Sequence, residues 1–164
     1  MSDPDKPHRA EAMVNIAQGM SQGSPHAREM GFELVSLDGG AAIMKAPYKD
    51  IMVGNPETGV IAGGVVTALL DHACGSAVHL AMTEFKIIAT LDLRIDYMRA
   101  AKPHMPIFAR AECYKVTRSI AFVRALAYDE DPADPVAAAQ AAFMLDSSSG
   151  KPFFAAARAK GEGQ

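Results

Sequence analysis

Between residues 58 and 81 the apolar positions follow no single stripe. Val65, Val66, Ala68, Leu69, Leu70, Ala73, Cys74, Ala77, Val78, Leu80 and Ala81 cover every phase of a helical wheel. The pattern predicts one central helix, opened by Gly63 and Gly64, that the rest of the chain encloses. Other stretches alternate. Residues 85–98 place Ala89, Leu91, Leu93, Ile95 and Tyr97 on one face and Thr90, Asp92, Arg94 and Asp96 on the other, as a half-buried antiparallel strand does. Residues 107–116 and 119–129 read as two more strands joined at Thr117-Arg118, and residues 136–146 as a last one after a proline-rich turn. Ala137, Ala139, Ala141 and Ala142 favour helix on propensity, but the sheet needs this strand.

Ahead of the helix, residues 32–37 and 41–46 flank Asp38-Gly39-Gly40, a hairpin signal. Pro47, Asp50, Gly54, Asn55, Pro56 and Gly59 then mark an irregular loop that runs into the helix, where a substrate would enter. At the start, Ala10, Met13, Val14, Ala17 and Met20 recur at helical spacing until Ser24-Pro25 breaks the chain. The order of hairpin, helix and strand meander is that of an α+β domain over residues 31–147. A helical segment over 1–30 precedes it, and a tail over 148–164 with Phe153 and Phe154 follows, partly helical or without fixed structure.

Within the apolar helix stands one carboxylate, Asp71. Burying a carboxylate is unfavourable unless it is paired or put to use, so Asp71 is the first candidate for chemistry. The plainer alternative is a rim position or a structural acceptor. The glycine pair is the second candidate, since the first N–H groups of a helix have no intrahelical partner and lie at its positive end. Asp71 is about 12 Å further along the axis at 1.5 Å per residue, more than one small substrate spans, so two copies of the helix are the natural way to complete a site.

Composition narrows the classes. With 164 residues, 49% hydrophobic and 21% charged, the chain makes one core-bearing domain. A net charge of −3, with no dense basic run, argues against a nucleic-acid partner. Cys74 and Cys113 sit in a helix and a strand, where buried thiols are ordinary and a reducing compartment is expected. The opening MSDPDKPHRAEAM is unlike a secretory signal, and the longest apolar run, 60–70, is too short to span a bilayer. The expectation is a cytoplasmic protein with no membrane partner. His72 and His79 lack an acid, Cys or His three or four residues away, so no metal is expected. Cys74 beside His72 makes a poor nucleophile and base, because residues two apart on a helix diverge.

Asn55, Ala62-Gly63-Gly64, Leu69-Leu70-Asp71, Thr90-Leu91-Asp92 and Tyr97-Met98-Arg99-Ala100-Ala101 together resemble the hotdog-fold acyl-CoA thioesterases. The nearest group is the phenylacetic-acid-degradation type of the 4-hydroxybenzoyl-CoA thioesterase superfamily, over roughly residues 33–145. The resemblance implies a curved antiparallel sheet wrapped around one long helix. It also implies a homodimer or dimer of dimers with active sites at the dimer interface. Asp71 then matches the catalytic carboxylate, Gly63 the N–H donor to the thioester oxygen, Asn55 the loop asparagine and Thr90 a supporting hydroxyl. The family usually carries His before the glycine pair, where this chain has Ala62.

The function this implies is hydrolysis of an aromatic or medium-chain acyl-CoA, with coenzyme A as part of the substrate and no other cofactor. Asp71 would serve as general base or nucleophile. Gly64 and Ala62 would adjoin the thioester, Met52, Val53 and Ile61 the acyl group, and Lys115 and Arg118, with Lys102 and Arg110, the coenzyme phosphates. Ala62 keeps open a noncatalytic acyl-CoA binding protein on the same fold. A hotdog hydratase is disfavoured, because His72 directly beside Asp71 is wrongly spaced for its acid and base. Strict alternation also poses a problem: if the odd positions of residues 85–98 face the helix, Thr90 points away from Asp71 unless a bulge re-aims it or it acts at a subunit interface.

Overall fold

A computed structural model describes residues 24–83 and 86–146. The helical spacing from Ala10 to Met20 and the tail with Phe153 and Phe154 lie outside the described residues. The first element is α1 (Pro25–Met30). The Ser24 hydroxyl accepts the Ala27 N–H, Pro25 takes the first turn, and Gly31, at φ 70°, caps the end with its N–H on the Ala27 and Arg28 carbonyls. Ser24-Pro25 therefore starts a helix where the sequence reading had a break. A serine cap followed by proline is a start signal in its own right.

Next, β1 (Glu33–Asp38) and β2 (Ala41–Ala46) form the expected hairpin. Gly39 and Gly40 both have positive φ, the pair of left-handed residues a tight two-residue turn needs. The segment expected to be an irregular loop is more ordered than that. It holds a 3-10 turn (Asp50–Met52) and a small antiparallel hairpin of β3 (Val53–Asn55) and β4 (Val60–Ile61).

The long helix is α2 (Gly63–Ala81), opening at the glycine pair as expected. Then come β5 (Ile87–Tyr97), β6 (Ile107–Val116), β7 (Ile120–Tyr128) and β8 (Ala137–Asp146). Together with β1 and β2 they form one six-stranded antiparallel sheet in the order β1-β2-β6-β7-β8-β5, curved around α2. This is the hotdog fold.

The alanines explain how close helix and sheet come. Ala109, Ala111, Ala121, Ala125, Ala127, Ala137, Ala139 and Ala141 are buried on the inner face, so Val66, Leu69, Leu70 and Val78 of α2 can press between them. Burying each such side chain stabilises the fold by about 1.5–3 kcal/mol. β8 is thus a strand because of what it packs against, against its own propensity.

Curvature comes from bulges. The register slips once in β1, between Leu34 and Ser36, once in β5, between Thr90 and Asp92, and once in β6, between Cys113 and Lys115. The extra residues, Val35, Leu91 and Tyr114, are all large, apolar and exposed. Each adds a residue to one strand only and bends it.

The helix is less enclosed than its composition predicts. α2 lies mainly over β6, β2 and β7 and touches the edge strand β5 less. Gly63 and Gly64 are exposed, and Thr67, Ala68, Asp71 and His72 are half-buried. A stripe along the helix is therefore open. Apolarity all round predicted a sheath, but one chain's sheet covers only one side.

Candidate active site

Asp71 lies on that open stripe. The Thr90 hydroxyl donates to one Asp71 carboxylate oxygen at 2.9 Å, so the structure brings these two candidates together. The bulge at Leu91 lets this contact coexist with an inward Leu93, Ile95 and Tyr97. Beyond it, Leu93, Ile95 and Tyr97 turn toward α2, and the extra residue shifts the phase so that Thr90 and Ile88, not Ala89 and Leu91, face the helix on the near side. The predicted single face of odd positions is corrected accordingly, and Leu91 is 55% exposed.

Two turns toward the N-terminus, Ala62 occupies the cap position of α2 with extended backbone and no side-chain bond to the helix. A Ser, Thr, Asp or Asn there would occupy an early N–H; alanine does not. The Val65 N–H bonds the Ala62 carbonyl, which leaves the Gly63 and Gly64 N–H groups without an acceptor among the described residues. The two glycines differ. A side chain on Gly63 would meet the Tyr97 ring and hydroxyl, whereas one on Gly64 would meet nothing within 4 Å. Packing explains the first glycine. For the second, which costs helix stability of about 1 kcal/mol relative to alanine, the chain's own packing supplies no reason.

Tyr97 closes this end. Its hydroxyl donates to the Gly63 carbonyl at 2.7 Å and lies 3.0 Å from the Thr67 hydroxyl. Just after it, Arg99 makes a two-pronged ion pair to the buried Asp129 at 2.8 and 2.7 Å and bonds the Asp134 carbonyl. The Lys102 and Glu130 N–H groups also donate to Asp129, and Lys102 pairs with Glu130. These donors, Arg99 first, hold the Asp129 carboxyl well below its usual range. The clamp fixes the chain leaving β5. From there the His104 ring packs on Gly59 and Tyr48, tying the β3–β4 hairpin down beside the helix start.

The remaining candidates are more scattered. The Asn55 carboxamide oxygen accepts the Glu57 N–H, and its carbonyl accepts from Thr58 and Gly59, so Asn55 builds the β3–β4 turn. What it would offer a substrate is its NH2 group. Met52 and Ile61 are buried in the core and Val53 is half-buried. Ala62 is half-buried against Gly54, where a side chain would run into the Ala62 backbone. Lys115 and Arg118 are exposed around the β6–β7 turn, at the other end of the sheet from the glycine pair. Arg110 lines a shallow depression of about 280 Å³ on the sheet's outer face, mixed in charge because Arg124 shares it with Asp96 and Glu112.

Other titratable groups near Asp71 are poorly suited to chemistry. Burial, and secondarily Asp71, push the Cys74 thiol up to about 12, which keeps it protonated. Burial lowers His72, against the pull of Asp71, and its ring packs edge-on to Phe32. Among the described residues, no three His, Cys, Asp or Glu side chains gather to hold a metal ion. No described helix is long and apolar enough to cross a membrane.

The sequence profile of the thioesterase superfamily matches residues 58–136, from the β3–β4 turn to the residue before β8. A crystal structure of a protein from Pseudomonas aeruginosa is 38% identical, with a TM-score of 0.74, over 80% of this chain and 98% of that one. A thioesterase family protein from Silicibacter pomeroyi matches with 21% identity and a TM-score of 0.69, over 81% of this chain and 97% of its own. The E. coli PaaI protein, from the phenylacetic acid degradation operon, matches with 17% identity and a TM-score of 0.72, over 84% and 96%. Among curated proteins, none matches the sequence. The chain belongs to the thioesterase superfamily and has its hotdog fold.

Proposed function

We propose that this chain is an acyl-CoA thioesterase whose active site is shared between two copies. The observation that carries the reading is the placement of two complementary groups on one open helix stripe. The Gly63 and Gly64 N–H groups stand at its start, and Asp71, oriented by Thr90, stands two turns on. At 1.5 Å per residue they are about 12 Å apart, too far for one thioester. A second α2 laid antiparallel brings one chain's glycines to the other's Asp71, twice over, as two-fold symmetry requires. The long edge strand β5, with Leu91, Tyr97 and Met98 exposed, suits such a partner, giving a homodimer or a dimer of dimers.

In that site the Gly63 N–H bonds the thioester oxygen and stabilises the negative charge that develops there. Asp71 takes a proton from water as the water oxygen bonds the carbonyl carbon. Collapse of the intermediate breaks the carbon–sulfur bond, and the coenzyme A thiolate recovers the proton from Asp71. Direct attack by Asp71 through an anhydride gives the same products. Thr90 holds the carboxylate toward its target. Aromatic and medium-chain acyl-CoAs are the substrates to offer first, with Asn55 at the entrance and Lys115 and Arg118 of a neighbouring chain as candidate phosphate contacts.

Thiol release from a panel of such acyl-CoAs tests the reading. Wild type should turn over, and Asp71→Asn and Asp71→Ala should each lose about 10²–10⁴-fold in kcat. Ala62, where the family it resembles usually has His, favours one second reading, a noncatalytic acyl-CoA binding protein. Saturable binding without thiol release by the wild type would select it.

A further inference from the structure

The Tyr97 hydroxyl reaches across from the end of β5 to the first carbonyl of α2, 34 residues earlier in the chain. A carbonyl in that place already has a helical partner, the N–H four residues on, so it needs no hydroxyl for satisfaction. That residue is Thr67, whose own hydroxyl lies 3.0 Å from the Tyr97 oxygen. The proton count settles the direction of the chain. The Gly63 oxygen can only accept, so the Tyr97 proton points to it, and the Tyr97 oxygen is left to receive the Thr67 proton. The relay runs from Thr67 to Tyr97 to the Gly63 carbonyl.

That carbonyl belongs to the same peptide unit as the Gly64 N–H. Hydrogen bonds in series polarise one another, so a hydroxyl on the oxygen makes the N–H on the other side of the peptide a stronger donor. The same bond fixes the plane of the peptide. Two glycines in succession at a helix start have more backbone freedom than any other pair, and an N–H that must meet a developing charge is useful only if its direction is set beforehand. The ring also lies close enough to Gly63 that a side chain there would come within 3.3 Å of the hydroxyl, which accounts for glycine at that position. Beyond Tyr97, the Met98 N–H on the Val136 carbonyl and the Arg99–Asp129 clamp anchor the strand end that carries the ring.

We propose that Tyr97 is a positioning residue, holding and polarising the Gly63–Gly64 peptide so that the Gly64 N–H, which has no acceptor among the described residues, acts as an oxyanion donor beside that of Gly63. This deepens the thioesterase reading and rests on it. Tyr97 touches no substrate atom; it acts through the peptide.

The test is Tyr97→Phe in the full chain, which keeps the ring and removes only the hydroxyl, with Thr67→Val as a second variant that leaves the ring and its direct bond intact. Two readouts are taken: steady-state thiol release with the best acyl-CoA substrate, and the Gly64 amide resonance in protein labelled with ¹⁵N-glycine. Tyr97→Phe should lower kcat about tenfold, with KM within about twofold, and move the Gly64 amide proton upfield. Thr67→Val should change both in the same direction by less. A kcat within twofold of wild type, or an unmoved Gly64 amide, overturns the proposal. A merely structural tie would lower thermal stability and leave kcat alone. If the wild type releases no thiol from any acyl-CoA, the thioesterase reading fails, and the Gly64 resonance alone still decides whether Tyr97 controls that peptide.

Discussion

On the side of α2 that faces β2, β6 and β7, Leu69, Leu70, Ala73, Cys74 and Ala77 are wholly buried, while the side toward β5 carries Gly64, Thr67 and Asp71 half-buried or open. The packed side needs only volume, and small alanines on the sheet supply the fit. The open side does the reverse. It sets a glycine where packing asks for none, an alanine where a cap would stabilise, and a carboxylate held by one hydroxyl. Stability and chemistry are thus separated across the diameter of one helix, sometimes between neighbouring residues.

Leu70 and Asp71 make the sharpest pair. Leu70→Ala opens a cavity under the sheet and should destabilise the chain by about 3 kcal/mol, read as a loss of roughly 10 °C in Tm. Asp71→Asn should leave Tm nearly unchanged while removing activity. A Leu70→Ala protein as stable as wild type would show that the packed side is not what holds the fold.

A smaller effect belongs to His79, buried in the last turn of α2, whose burial lowers its pKa from 6.5 to about 4. The folded state keeps the ring neutral while the unfolded state takes up a proton below pH 6.5. Stability contributed by the neutral ring is therefore full above pH 6.5 and is lost as the pH falls toward 4, roughly 2 kcal/mol by pH 5. Denaturant midpoints across this range should fall in wild type and fall less in His79→Gln.

Smaller again is the hydroxyl on the open side. Thr90→Val should lower kcat about tenfold with little change in stability, since it frees the Asp71 carboxylate from one defined direction. Deleting Leu91 should do least. Thr90 and Asp92 already face consecutive residues of β8, Phe143 and Ala142, so a ladder without the bulge keeps Thr90 on Asp71. Loss of activity in the deletion as deep as in Thr90→Val would mean that the bend itself aims the hydroxyl.

The packed side was the more legible in the sequence. The double-glycine hairpin, the helix opening at Gly63 and the strand meander all follow from periodicity and turn chemistry. The lone carboxylate in an apolar helix pointed to Asp71, the resemblance added Thr90, and the structure hydrogen-bonds the two. What escaped was set by distant partners. Residues 89 to 97 alternate cleanly, and no glycine or proline marks Leu91, because the bulge is fixed by pairing with β8 and by the helix. Tyr97 looked like one more inward apolar residue; only the fold puts its hydroxyl on Gly63. The β3–β4 hairpin is two and three residues long, too short to leave a period. The enclosure of Asp71 was overestimated, because an apolar wheel tells how much surface must be covered, not how much of it one chain covers.

That uncovered stripe leads to the most direct measurement. Chains carrying Asp71→Asn and chains carrying Gly64→Val are each prepared alone and then co-assembled in equal amounts, and thiol release from the best acyl-CoA is followed. If one copy's glycines work with the other's Asp71, each parent is nearly inactive. Mixed dimers then contain one intact site of two, and activity returns to about a quarter of wild type. A mixture no more active than its separate parents would contradict the shared site and return both groups to a single chain.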